Sequence, residues 1–343
     1  MTGIRLQEHH VVARVPKLGD AATIIDAPLT IRVDPLTGHT SRLLHGEKLA
    51  PTSRPDLSEL TATPPFCPFC EDKIEIATGV FDEQITREGR IRRGLSAVVP
   101  NVMAYSEFSS VGLYDTTQHF RDLDELTPEI VSDLLTGLTA YTRGVHSIRP
   151  MWHSINANYL PPAGSSLVHP HAQSAHDDFG TTQQRRLIEA SNAWEGEQSY
   201  WRELVELERG GDRWIGTRGR VRVMTPWSPV GFHEVWMLVP DAADIVDLTE
   251  DDCQDLGAVL SAVLQGYHGF NLASFNWAMY GGGPKRSDRY GVLLRAVSRS
   301  NPEPMYRSDV TYFERLHGEA MIDLTPEQVA EAMRPHLAGV THD

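Results

Sequence analysis

The sequence predicts an α+β fold with an internal duplication, and two observations carry that expectation. A strand–strand–helix–strand pattern occurs twice in one order, and a polar helical stretch separates the two occurrences. In the first, "GLSAVVPNVMAYSEFSSVGLYD" (residues 94–115) alternates apolar and polar residues as a pair of strands does. A helix follows. Thr127 suits its N-cap, Pro128 its first position, and Leu126, Ile130, Leu134, Leu138 and Tyr141 its apolar stripe. "MWHSINANYL" (residues 151–160) is the closing strand. In the second, "RVRVMTPWSPVGFHEVWMLVP" supplies two strands and "LTEDDCQDLGAVLSAVLQGYH" a helix capped by Thr249, with acids in its first turn. "FNWAMY" is its last strand. Residues 183–208 read as polar helix linking the repeats, residues 1–66 as mostly irregular, and Thr325-Pro326 opens a short final helix. Within the irregular part, Asp34-Pro35 opens a turn and Gly38 closes it.

Composition narrows the function. The 343 residues are 41% apolar and 22% charged, as in an ordinary globular protein. A formal net charge of −15 with no long basic run argues against nucleic acid or an anionic membrane as partner. No apolar run is long enough to span a bilayer, and the N-terminus lacks an apolar signal core, so a cytoplasmic enzyme is expected. Three cysteines are too few for a disulfide framework.

Two of those cysteines form "CPFC", Cys67-x2-Cys70, a spacing that presents two thiolates to one tetrahedral ion. A redox dithiol or two buried thiols are the other readings. A redox pair belongs at a helix N-terminus after a strand, and this one follows a proline-rich loop. The missing ligands are sought among His119 and the histidines of "SSLVHPHAQSAH", His169, His171 and His176. If "LVHPHAQ" is extended, His169, His171 and Gln173 share one face, and Pro170 places the strand at an edge or at its own beginning. Upstream, "PPAGSS" offers a glycine and the hydroxyls of Ser165 and Ser166 to phosphate oxygens. A neutral imidazole beside a phosphate cradle suits nucleophilic attack on phosphorus. There is no Gly-x-Ser-x-Gly, and Cys253 lies in a helical stripe as a small core thiol.

Taken in order, these motifs resemble the galactose-1-phosphate uridylyltransferase family, a duplicated branch of the histidine triad superfamily. "DPLTG", Arg54-Pro55, "CPFC", Asn101, "TTQHFRDLDELTPE", "NYLPPAGSSLVHPHAQ" and "LTPEQVAEAMR" carry the resemblance over nearly the whole chain. It implies two histidine-triad-like repeats, residues 1–180 and 181–343, in a mostly antiparallel sheet with packed helices. It implies a structural Zn2+ on Cys67, Cys70, His119 and His169. It makes His171 the nucleophile toward a nucleoside diphosphate sugar, with Gln173 and Ser166 on the phosphate oxygens. Arg54, Asn101, Asn158, Ser165 and Phe313 would bind substrate. A nucleoside monophosphate, UMP foremost, would pass to a second sugar 1-phosphate within a homodimer. A phosphorylase, a hydrolase or a non-catalytic zinc nucleotide-binding module are the alternatives. The chain departs from the family in three places. Ala172 replaces a usual glycine, and "DRYGVLLRAVSRSN" lacks the histidine pair of a second metal site. "VTYFERLHGEAMID" keeps Phe313 but lacks the family's Tyr-Glu, with Glu314 and Arg315 as replacements.

Overall fold

The computed structural model describes residues 3–44, 53–303 and 308–342. It opens with β1 (Gln7–Lys17), β2 (Asp20–Val33) and β3 (Thr40–Leu44). The first half continues through α1 (Glu71–Ala77), β4 (Ile91–Arg93), β5 (Ser96–Pro100) and β6 (Phe108–Leu113). It ends on α2 (Pro128–Ile148), β7 (Trp152–Tyr159) and β8 (His171–Asp177). Two helices, α3 (Thr182–Ala193) and α4 (Tyr200–Glu208), lead to β9 (Trp214–Arg218), β10 (Val221–Met224) and β11 (Val235–Val239). Then come α5 (Glu250–Gly269), β12 (Ser274–Tyr280), β13 (Val292–Arg299), β14 (Ala320–Ile322) and α6 (Pro326–Leu337).

Ten strands form one antiparallel sheet in the order β4-β5-β6-β8-β7-β12-β13-β11-β10-β9. Matching β4 to β9, β5 to β10, β6 to β11, β7 to β12 and β8 to β13 makes that order read alike from either end. The seam is the β7–β12 pair, where Ala157 faces Trp277. The fold class is thus as expected, α+β with two like halves in one mostly antiparallel sheet. Thr127 and Thr249 cap α2 and α5 through their hydroxyls, as their sequences predict.

Paired residues on adjacent strands share a face, so register assigns every side chain. One face is roofed by α2 and α5, whose Leu134, Leu138, Val259 and Val263 bury against Ile155, Trp277 and Leu294. Among the described residues, helices cover the opposite face at its two ends. Ile74 of α1 sits on Ala97, Val99, Val111 and Leu113. At the other end Leu187, Trp201 and Leu204 of α3 and α4 sit on Trp236, Leu238 and Leu293. Between those lids lies a polar strip on β8, β7, β12 and β13.

Three expectations are corrected or sharpened. Residues 7–44 are not irregular: β1 and β2 form a long ribbon, continued by β3 and β14 into a second sheet whose β3–β14 pairing is parallel. Pro16 and Pro28 obscured it. A ribbon tolerates proline, and Pro28 stands on the part of β2 that β3 does not reach. The stretch 183–208 is two helices rather than one, and its buried Leu187, Ile188, Trp201 and Leu204 make it a lid as well as a linker. Finally, β8 lies inside the sheet between β6 and β7, so Pro170 marks the beginning of a central strand, not an edge.

Candidate active site and metal centre

Cys67 and Cys70 bracket the turn into α1, with Cys70 at its N-cap. His119 comes from the segment after β6 and His169 from the residue before Pro170. Their donor atoms all lie within 4.8 Å of one another. Cys67 Sγ is 3.6 Å from His169 Nδ1, and Cys70 Sγ is 3.6 Å from His119 Nδ1 and 3.8 Å from His169 Nδ1. A tetrahedral zinc with ordinary Zn–S and Zn–N bonds separates S from N by about 3.6 Å. The donor set therefore fits zinc. The second shell agrees: His169 Nε2–H donates to the Asp115 carbonyl at 2.7 Å, which leaves Nδ1 as the lone-pair atom facing the thiols.

The pair does stand at a helix N-terminus, the place where sequence reasoning sought a redox dithiol. Its electrostatics do not suit a redox pair. Burial, and then neighbouring Cys67, push the Cys70 thiol up to about 11, whereas redox thiols are pulled down. A cation bound between two thiols reverses that penalty. Burial also lowers His119, and lowers His169 to about 4, keeping both imidazoles neutral as ligation requires.

His169 was expected to share a face with His171. It does not lie in the strand: its ring turns back to the cysteines, and β8 begins only at His171. His171 Nδ1–H donates to the His169 carbonyl at 2.8 Å, so Nε2 carries the free lone pair. Burial lowers its pKa and favours that neutral form. Phe69, inside "CPFC", packs its ring 5.8 Å from His169 and 5.5 Å from His171, wedging both imidazoles in place.

Gln173 lies two residues along the same face of β8, opposite Asn156. Its Oε1 accepts from the Tyr105 hydroxyl at 2.9 Å, which leaves its NH2 as the group offered outward. Tyr105 escaped the sequence reading because nothing in a loop tyrosine announces a partner so distant in sequence. Ser165 Oγ donates to the Leu167 carbonyl at 2.6 Å, while Ser166 is exposed on the same loop. That loop leaves β7 through Leu160 at φ +67° and Gly164 at φ +92°, left-handed conformations that favour glycine and strain leucine. Asn158 is exposed on β7, and Asn101 Nδ2 is buried without a partner among the described residues, a donor in want of an acceptor. A pocket of about 210 Å³ lies alongside, lined in part by Phe232, Asn276, Val297, Arg299, Glu314 and Met321.

Two residues named from sequence stand apart. Arg54 is paired with Asp122 and bonded to the Leu272 carbonyl, tying the His119 segment to the start of β12. Phe313 contacts Tyr312, His317 and Arg42 rather than the histidine group.

No protein-family profile matches the chain. A protein of Archaeoglobus fulgidus described as uncharacterized is 28% identical over 307 residues, which cover 89% of this chain and 91% of that one. Among solved structures, an ADP-glucose phosphorylase from Arabidopsis thaliana with bound ADP-glucose superposes with a TM-score of 0.69. It is 16% identical, covering 89% of this chain and 97% of that one. A GalT-like protein from the same plant gives a TM-score of 0.67 at 18% identity, covering 89% and 97%. A uridylyltransferase gives 0.64 at 18% identity, covering 91% and 99%. At such identities the likeness establishes a shared fold.

Proposed function

We propose that the protein is a nucleotidyltransferase of the galactose-1-phosphate uridylyltransferase kind, acting on nucleoside diphosphate sugars through a covalent nucleotidyl-histidine. The observation that carries this reading is His171. Its Nδ1–H is committed to the His169 carbonyl, its Nε2 has no hydrogen-bond partner among the described residues, and the nearby His169 is fixed among candidate metal ligands. Zinc on Cys67, Cys70, His119 and His169, with no position left open, supplies structure rather than chemistry. The chain's own residues then do the rest. His171 Nε2 attacks the α-phosphorus, an N–P bond forms, and the P–O bond to the leaving sugar 1-phosphate breaks with its electron pair on oxygen. The Gln173 NH2 and Ser166 hydroxyl donate to the phosphate oxygens as charge shifts. Asn101 offers its orphan donor to the nucleotide, and Asn158 and Ser165 line the phosphate side. An acceptor phosphate oxygen then takes the nucleotide from His171 in the reverse displacement.

UMP is the group proposed to move, with a hexose 1-phosphate as acceptor. One observation favours inorganic phosphate as a second acceptor. Both oxygens of Glu314 are spent inside its own loop, on Thr311 and on the Met321 N–H, and Phe313 leans on Arg42. The residues standing where sugar contacts were expected are thus occupied. The solved relative named for phosphorolysis of ADP-glucose has the same fold.

The proposal extends to a homodimer in the cytoplasm without nucleic acid or membrane partners. The β1–β2 ribbon leaves Val11, Val15 and Ile25 exposed on one apolar face, the kind of surface a second copy covers. All three cysteines are free, as a reducing compartment keeps them. Sedimentation reporting a monomer would remove the dimer.

The test is label transfer. Protein mixed with UDP-glucose or ADP-glucose labelled in the nucleotide acquires label on His171, and the mass of the adduct names the base. Galactose 1-phosphate or phosphate then discharges it. Absence of an adduct with every nucleotide sugar defeats the proposal and leaves a zinc nucleotide-binding module. Metal analysis of the purified protein gives one zinc per chain, and Cys67→Ser loses it together with several kcal/mol of stability.

A further inference from the structure

The polar strip that carries His171 does not stop at the seam. On β7 the register sets Asn158 against Asn276 of β12, and on β12 it sets Asn276 against Val297 of β13, two residues from Arg299. Side chains from the second half therefore extend the catalytic face of the first. Their hydrogen bonds run outward from Arg299. Asp309 accepts from Arg299 Nε at 2.8 Å. Arg299 Nη1 donates to Asn276 Oδ1 at 2.6 Å. Asn276 Nδ2 donates to Asn158 Oδ1 at 2.7 Å and to the Ala163 carbonyl at 2.9 Å.

An amide can flip, exchanging its donor and acceptor ends, and an exposed asparagine samples both orientations. Here each link removes that freedom. A guanidinium has no acceptor, so Asn276 must turn its oxygen to Arg299 and its NH2 to Asn158. Asn158 must then answer with its oxygen. Its NH2 is left facing the loop before His171, where Gly164 lies so near that an added Cβ would stand 3.9 Å from Asn158 Nδ2. The same Asn276 NH2 holds the Ala163 carbonyl and so fixes the turn that leads into Gly164, Ser165 and Ser166.

We infer that Asn276 and Arg299 are positioning residues for nucleotidyl transfer: they lock the Asn158 amide with its donors toward the departing sugar 1-phosphate. The inference rests on the proposed chemistry at His171 and adds to it. A donor held in place before the charge develops costs no reorganisation during the step, and a free amide would present its oxygen to the phosphate part of the time. In this role both residues act through Asn158. Asn276→Asp is the sharpest variant. It keeps the size and the attraction to Arg299 but replaces both donated hydrogens with lone pairs. Asn158 then turns its NH2 to the new carboxylate and its carbonyl to the phosphate.

The experiment measures the rate at which His171 takes label from a nucleotide sugar, alongside the affinity for the free nucleoside monophosphate. The monophosphate lacks the sugar phosphate that Asn158 serves. Asn276→Asp is expected to slow labelling about 10- to 100-fold, the range for loss of an orienting partner, while monophosphate affinity, zinc content and thermal midpoint stay near wild type. In an Asn158→Ala background the same substitution is expected to cost little more, because its route to the substrate is already cut. Equal losses in both backgrounds, or parallel losses in labelling and monophosphate affinity, mean a general structural role and overturn the inference. Wild-type labelling rates in Asn276→Asp overturn it alone and leave the chemistry at His171 standing. A wild-type protein that takes no label overturns both.

Discussion

The two halves of the large sheet place very different residues at matching positions. Setting the caps Thr127 and Thr249 on one another also sets β7 on β12 and β8 on the end of β13. His171 then falls on Leu293, and Gln173 on Arg295. In the first half that face is open at its centre and offers an imidazole and an amide. In the second it is buried under α3 and α4, where Leu293 packs with Trp201 and Trp236. Arg295 is spent there on an ion pair: its Nε donates to Glu234 at 2.7 Å, and Glu234 also accepts from the Trp236 indole at 2.6 Å and the Val230 N–H at 2.6 Å. On the proposed function, the first half keeps its face for chemistry and the second spends it on stability. We propose that residues 1–180 and 181–343 are copies of one unit, and that the linker helices closed the second face.

The comparison is most severely tested by truncating the matched pair. His171→Ala is expected to lower labelling and turnover about 10⁴-fold or more with the unfolding midpoint unchanged. Leu293→Ala is expected to leave turnover intact and cost about 2–5 kcal/mol in denaturant unfolding, because it opens a cavity in a fully buried cluster. Swapped outcomes would reverse the assignment of the halves. Next in size is Glu234→Gln, which leaves the Arg295 guanidinium buried without a counter-charge. A loss of about 3–5 kcal/mol is expected, read by the same denaturant titration, again without effect on the adduct at His171.

Acid separates the halves more gently. On the helix-covered face, His146, His153 and His176 form a chain with 2.9 Å links, and His176 also packs on Tyr141. Burial, and then His146, push His153 down to about 3, and burial pushes His176 well below the usual imidazole range. Both stay neutral in the fold while the unfolded chain takes up protons below about pH 6.5. Their contribution is therefore fully present above that pH and is lost as pH falls toward 3, at about 1.4 kcal/mol per unit for each group. The matching positions of the second half hold Phe275 and Ser298, which do not titrate. Giving the first half those residues, His153→Phe with His176→Ser, is expected to flatten the stability–pH slope between pH 6.5 and 4. An unchanged slope would place the acid sensitivity elsewhere. The smallest effect is a symmetric one. Thr127→Ala and Thr249→Ala each remove a hydroxyl cap and should each cost about 1 kcal/mol, because the caps are the feature the halves still share.

How much of this was legible in the sequence follows from which signals are local. Helix caps, the apolar stripe of α2 and the strand at "MWHSINANYL" are written in neighbouring residues, and they stand where expected. The ligand set was legible because Cys67-x2-Cys70 and His169-Pro-His171 are short motifs, though only the fold brings His119 to them. The ribbon of β1 and β2 was hidden by its prolines. The lid role of α3 and α4 was hidden by charged residues on their outer faces. Tyr105, Asn276 and Arg299 were invisible for a different reason: each bonds a partner that only the tertiary fold brings near. Arg54 and Phe313 show the converse, since a motif match gave them substrate roles while the fold gives them protein partners.

The parallel pairing of β3 with β14 also sets the order in which the chain can be finished. Ser41, Arg42 and Leu43 find their partners in Ala320, Met321 and Ile322, nearly the whole length of the chain away. Until those residues have left the ribosome, one edge of β3 stays unsatisfied. Contacts of such sequence separation form late and slowly, and an open strand edge invites foreign strands meanwhile. Aggregation during synthesis is therefore expected to concentrate at this sheet, and a chain cut short before residue 320 should be recovered largely as insoluble material.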